Sequence, residues 1–123
     1  MTPFLPTITV PFSPNKPMTK TIPYAKLIRD RIPEIIADAG KTPEYHTLDD
    51  EAFQQAVDAK LAEELDEYRA SGKVEELADL LETLYAAAQA RGCSRGKLER
   101  IREQKAQERG AFEKRLFLTA VRE

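Results

Sequence analysis

The stretch KLAEELDEYRASGKVEELADLLETLYAA, residues 60–87, sets eight carboxylates and only three bases, Lys60, Arg69 and Lys73, around one glycine, Gly72. Apolar residues recur every three or four positions on both sides of that glycine, which is the period of an amphipathic helix. Two consecutive helices joined by a tight turn are therefore expected, and both carry an excess of like charge.

Working outward, the helix boundaries follow from caps. Asp49 is a good N-cap, and Leu48 with Phe53 has the spacing of a hydrophobic staple, so a helix is expected from about residue 50 to 70, ended by Gly72. Val74 opens the next helix, which runs to about residue 91 before Gly92. Ser94 caps another that reaches about residue 109, with Gly110 as its stop. Upstream the pattern reads as helical from Tyr24, and Pro33 in a first turn followed by EIIADAG reads as a short helix closed by Gly40. TPEYHTL, residues 42–48, is a connection with room for a short strand, and FEKRLFLTAV, residues 112–121, is apolar enough to pack. Turns of two to four residues between long helices imply antiparallel neighbours. The expected fold is all-α, an antiparallel bundle of about four helices, completed by dimerisation because so few helices cannot cover both sides of the acidic pair.

Six of the eight prolines fall within residues 1–23, which forbids regular helix there. That stretch reads as an extended arm, and residues 24–123 as one domain. A tag, a misassigned start at Met18, or a strand that pads a second subunit would each suit the arm.

Composition removes several function classes. Cys93 is the one cysteine and His46 the one histidine, so a zinc site or a histidine-based triad has almost no material. With no disulfide to form, no apolar run of about 20 residues and no signal-like N-terminus, a cytoplasmic protein without membrane spans is expected. The net charge of −2 and pI near 5.6 disfavour nucleic acid as a partner. Carboxylate-and-magnesium chemistry has abundant material.

At 100° per residue, Phe53, Val57, Leu61, Leu65 and Tyr68 form one apolar stripe, with Glu64 and Glu67 about 60° and 120° to one side and Glu63 nearly opposite. On the next helix Leu77, Leu80, Leu81, Leu84, Tyr85 and Ala88 form the stripe. Glu76 and Asp79 flank it, with Glu75 and Glu82 farther round. Each helix thus offers a carboxylate pair at i, i+3 beside its buried face. Brought together without counter-ions, the two pairs would repel by several kcal/mol in a partly buried site. A divalent cation removes that repulsion, and an all-oxygen set suits Mg²⁺, or Mn²⁺, better than zinc.

Acidic residues on a helix are more often a solvated surface, but the charge distribution argues against that here. Residues 44–82 hold 13 acids and 3 bases, residues 1–43 hold 6 bases and 3 acids, and residues 91–123 hold 10 bases and 5 acids. Solvated helices interleave signs to gain i, i+4 pairs, whereas this chain segregates them, as a central metal with flanking phosphate contacts would require.

EELDE, residues 63–67, followed by EELAD, residues 75–79, resembles the EExxE…ExxD signature of the MazG-like nucleotide pyrophosphohydrolases, the all-α NTP pyrophosphatase superfamily. YAKLIRDRIPEII before it and KAQERGAFEKRLFL after it look like the flanking motifs of the phosphoribosyl-ATP pyrophosphohydrolase-like branch, so the resemblance covers about residues 24–118. It departs at Ala25, where relatives often carry a polar residue, and at Ala111, which replaces a frequent second glycine. The resemblance implies Mg²⁺-dependent cleavage between the α- and β-phosphates of a nucleoside triphosphate, giving a monophosphate and pyrophosphate, by a homodimer or homotetramer. It maps the metal ligands onto Glu64, Glu67, Glu76 and Asp79.

No activated nucleophile is evident, since Cys93 has no histidine nearby and reads as a small structural residue. Water is the expected attacker, with Glu63 the candidate base despite its outward position. Lys26, Arg29 and Arg31, with Lys105 and Arg109, are the candidate phosphate contacts; each alone reads more readily as a surface charge, and motif-like settings lift Lys26, Arg29, Lys105 and Arg109 above that reading. His46 reads as a loop or core residue. The alternatives left open are phosphoribosyl-ATP hydrolysis in histidine synthesis and a non-catalytic helical dimer that regulates a partner; the intact carboxylate set argues against the latter.

Overall fold

The computed structural model describes residues 20–123, and the expectations for the arm and for Met18 lie largely outside them. Four helices, and no strand, occur among the described residues. The first, α1, is Ile32–Asp38, with Pro33 in its first turn, where the missing N–H costs nothing. The expectation of helix from Tyr24 is not met, because residues 20–29 form no regular element. Instead this segment runs beside the longer helices and sends Leu27 and Ile28 towards them.

Helix α2, Asp50–Ser71, starts where the Asp49 side chain accepts a 2.8 Å hydrogen bond from the Ala52 amide. It stops at Gly72, whose left-handed conformation (φ 67°) lets its amide donate to the Tyr68 carbonyl at 2.7 Å. Only Gly72 and Lys73 separate it from α3, Val74–Ala90, so the two pack as an antiparallel hairpin, the main tertiary contact of the fold. Ser94 then accepts from the Lys97 amide at 3.2 Å and opens α4, Arg95–Arg109, which makes a smaller contact with α3.

The helices thus form where local signals place them, but the interior differs from the apolar stripes. Ile32 and Val57 are the buried apolar residues of the described chain, whereas Glu64, Glu76 and Thr83 are buried beside them, the two glutamates at 3% and 2% exposure. Leu77, Leu81 and Leu84 remain 42–47% exposed, and Leu65 is equally uncovered. A wheel does not show what covers each face: residues of segment 26–32 approach the acidic flank, and the leucine face, bordered by α4, stays largely exposed. The C-terminal segment, expected to pack, does not. Phe112, Leu116, Phe117, Leu118 and Val121 are 75–95% exposed.

Candidate metal centre

The i, i+3 spacing of Glu76 and Asp79 and the position of Glu64 one turn before Glu67 bring three carboxylates together at the hairpin. Glu64, Glu76 and Asp79 each offer an oxygen, and these oxygens lie within 4.8 Å of one another. Glu67 is half-buried and does not join the group. A wheel orders residues around one helix but ignores the shift of one helix along the other, which decides which carboxylate of α2 meets the α3 pair.

The carboxylates are held by cations and by the backbone. Lys60 Nζ lies 3.3 Å from Glu64 Oε1 and 3.5 Å from Glu63 Oε1, its side chain largely buried. Arg29 Nη2 donates to Asp79 Oδ1 at 2.8 Å, and Lys26 Nζ reaches Glu63 Oε1 at 3.4 Å. Thr83 donates its hydroxyl to the Asp79 carbonyl at 2.9 Å, filling the i, i+4 space beneath that turn. Asp79 Oδ2 is buried and has no hydrogen-bond partner among the described residues. A buried anionic oxygen in that state costs free energy, and an ion that supplies a positive charge there recovers it.

A cleft of about 760 Å³ opens beside the cluster. Glu64 and Asp79 lie on its wall with Lys60, and Phe53, Tyr85 and Arg95 line it farther out. Arg95 sits over the Tyr85 ring, 4.1 Å from its centroid, and approaches Glu82 at 3.9 Å. Glu82, placed on the far side by the wheel, therefore borders the cleft, while Glu75 is exposed. Glu63, placed nearly opposite the stripe, is turned by Lys26 and Lys60 to the rim of the cluster.

The candidate phosphate contacts divide. Lys26 and Arg29 reach the acidic helices, but Arg31 is exposed and pairs with Glu34 at 3.3 Å. Lys105 and Arg109 are exposed on α4 and do not line the cleft. His46 is exposed in the connection before α2, and Cys93 is half-buried in the cleft wall, its thiol directed at the Ser94 carbonyl at 3.5 Å. Lys60 and Arg95 were not singled out from sequence. For Lys60 the signal was present, since it stands at i−3 and i−4 from Glu63 and Glu64; for Arg95, a cap-adjacent arginine, there was none.

No helix among the described residues is long and apolar enough to cross a membrane. No family model and no solved structure matches the chain. An uncharacterized protein of Mycolicibacterium smegmatis is 53% identical over 47 residues, covering 38% of this chain and 48% of that protein. The chain thus spans about half the length of this relative.

Proposed function

We propose that the chain is a MazG-like nucleotide pyrophosphohydrolase that holds Mg²⁺, or Mn²⁺, on Glu64, Glu76 and Asp79. The observation that carries this reading is the convergence of three carboxylates from two helices, two of them buried, with Glu64 and Asp79 on the wall of a cleft. The donor set is all oxygen, and Asp79 Oδ2 is a buried acceptor without a hydrogen bond, which fits a hard divalent cation with water completing its shell. Glu67 is left as an outer ligand or a residue that orients such water.

A bound cation of this kind neutralises phosphate oxygens and acidifies water. The chain's own residues supply the rest. Glu63, at the rim, accepts the proton of the attacking water as its oxygen bonds to the α-phosphorus; the bond from that phosphorus to the α–β bridging oxygen breaks, and pyrophosphate leaves with that electron pair. Lys26 and Arg29, now paired with carboxylates, are placed to turn to phosphate when a cation takes over the acidic oxygens. Phe53 and Tyr85 give the cleft apolar walls for a base, and Arg95 adds a charge over the Tyr85 ring. A nucleotide-pool house-cleaning role suits such a site.

The test is product analysis. Incubation with a panel of ordinary and modified nucleoside triphosphates in Mg²⁺ should yield a monophosphate and pyrophosphate from at least one of them. A diphosphate with orthophosphate, or no turnover of any substrate, would overturn the proposal.

A further inference from the structure

Three cations of the chain already sit on the acidic cluster. Lys26 reaches Glu63 at 3.4 Å, Arg29 reaches Asp79 at 2.8 Å, and Lys60 lies 3.5 Å from Glu63 and 3.3 Å from Glu64. They are not equivalent. The Arg29 side chain is 58% exposed, so water screens its pair. Lys26 pairs with Glu63, which stands outside the three converging carboxylates. Lys60 is 16% exposed and its partner Glu64 only 4%, so its charge is the least screened of the three and bears directly on a proposed ligand.

Lys60 also faces the cleft, whose wall it shares with Glu64 and Asp79. It stands one turn before Glu64 on α2, at the end of a flexible four-carbon stem that lets the ammonium swing without moving the helix. Without metal, Glu63, Glu64, Glu76 and Asp79 face Lys26, Arg29 and Lys60, which leaves one net negative charge. A divalent ion on the carboxylates would turn that into one net positive charge. An ammonium and a divalent ion on one carboxylate repel each other, most strongly where water is largely excluded.

Resting on Glu64, Glu76 and Asp79 as the metal ligands, we propose that Lys60 is a transferable cation. It neutralises Glu64 while no metal is bound, competes with the divalent ion for that carboxylate, and passes to the substrate's phosphates in the cleft once the ion is in place. The two ligands then assist each other: the ion frees the ammonium for phosphate, and phosphate that captures the ammonium clears Glu64 for the ion. A lysine that merely held α2 in place would, when lost, weaken both ligands alike.

Lys60→Met keeps the stem and removes the charge. Titrated with Mn²⁺ alone and followed by electron paramagnetic resonance, this variant should bind the ion at least tenfold more tightly than the parent. Titrated by calorimetry with the magnesium complex of inorganic tripolyphosphate in saturating Mg²⁺, it should bind at least tenfold more weakly. Lys60→Arg, which keeps a cation on a long stem, should stay close to the parent in both titrations. If the parent takes up Mn²⁺ and Lys60→Met binds it equally or more weakly, the inference is overturned and the metal site stands. The same follows if tripolyphosphate is bound equally by both proteins or by neither, or if Lys60→Arg behaves as Lys60→Met does. If neither parent nor variant takes up Mn²⁺, the metal site itself falls, and the inference with it.

Discussion

Replacing Asp79 by asparagine should stabilise the protein in the absence of metal, although it removes an ion pair. The Asp79 carboxylate lies within 4.8 Å of oxygens on Glu64 and Glu76. At an effective dielectric near 20, each like-charge pair at that distance costs about 3.5 kcal/mol. The lost partner is Arg29, whose side chain is 58% exposed, so that pair contributes only about 0.2–1 kcal/mol. Lys60 beside Glu64 screens part of the repulsion, and a net gain of ~1–3 kcal/mol is expected. For a domain of this size each kcal/mol moves Tm by roughly 4–8 °C. The assay is thermal unfolding followed by circular dichroism, in EDTA and again in excess Mg²⁺. The parent should gain from Mg²⁺ by about 1.4 kcal/mol when the ion is at ten times its dissociation constant, and Asp79→Asn should gain almost nothing. Glu75→Gln, at an exposed position on the same helix, should behave as the parent does. A metal-free Asp79→Asn less stable than the parent, or an equal response of all three proteins to Mg²⁺, would refute the reasoning.

Lys60→Met keeps the buried stem but removes the cation shared by Glu63 and Glu64, so the metal-free protein should lose ~1–3 kcal/mol in urea unfolding, and Mg²⁺ should restore part of it. Arg95→Ala exposes the Tyr85 face and removes a charge from the cleft; steady-state kinetics should show a raised KM for a triphosphate with kcat changed less. Asp49→Ala and Ser94→Ala each delete a cap whose side chain accepts an amide hydrogen bond, and each should cost about 1 kcal/mol in chemical denaturation without changing Mg²⁺ response.

The helices were legible because their limits are set locally. Asp49, Gly72 and Ser94 act through their own backbone neighbours, and sequence reasoning needs nothing more to place them. The acidic cluster was legible in part: i, i+3 spacing puts Glu76 and Asp79 side by side, but which of Glu64 and Glu67 meets them depends on how far α3 slides along α2. The setting of Glu63 was legible only in part: Lys60 stands three residues before it on the same helix, but Lys26 reaches it from a distant segment. Nor was the exposure of Leu77, Leu81 and Leu84, because a stripe shows which residues share a face and not whether anything lies against it. The irregular course of residues 20–29 escaped for the same reason: an apolar period of a few residues fits a segment laid against two helices as well as it fits a helix.

The central claim is that the hairpin carboxylates hold a divalent cation, and direct titration with Mn²⁺, followed by the loss of the free-ion electron paramagnetic resonance signal, tests it with no assumption about substrate. The parent protein should show saturable binding that excess Mg²⁺ displaces, Glu75→Gln should match it, and Glu64→Gln and Asp79→Asn should each weaken it at least tenfold. A parent protein that takes up no Mn²⁺, or binding that survives unchanged in Glu64→Gln and Asp79→Asn, would contradict the claim.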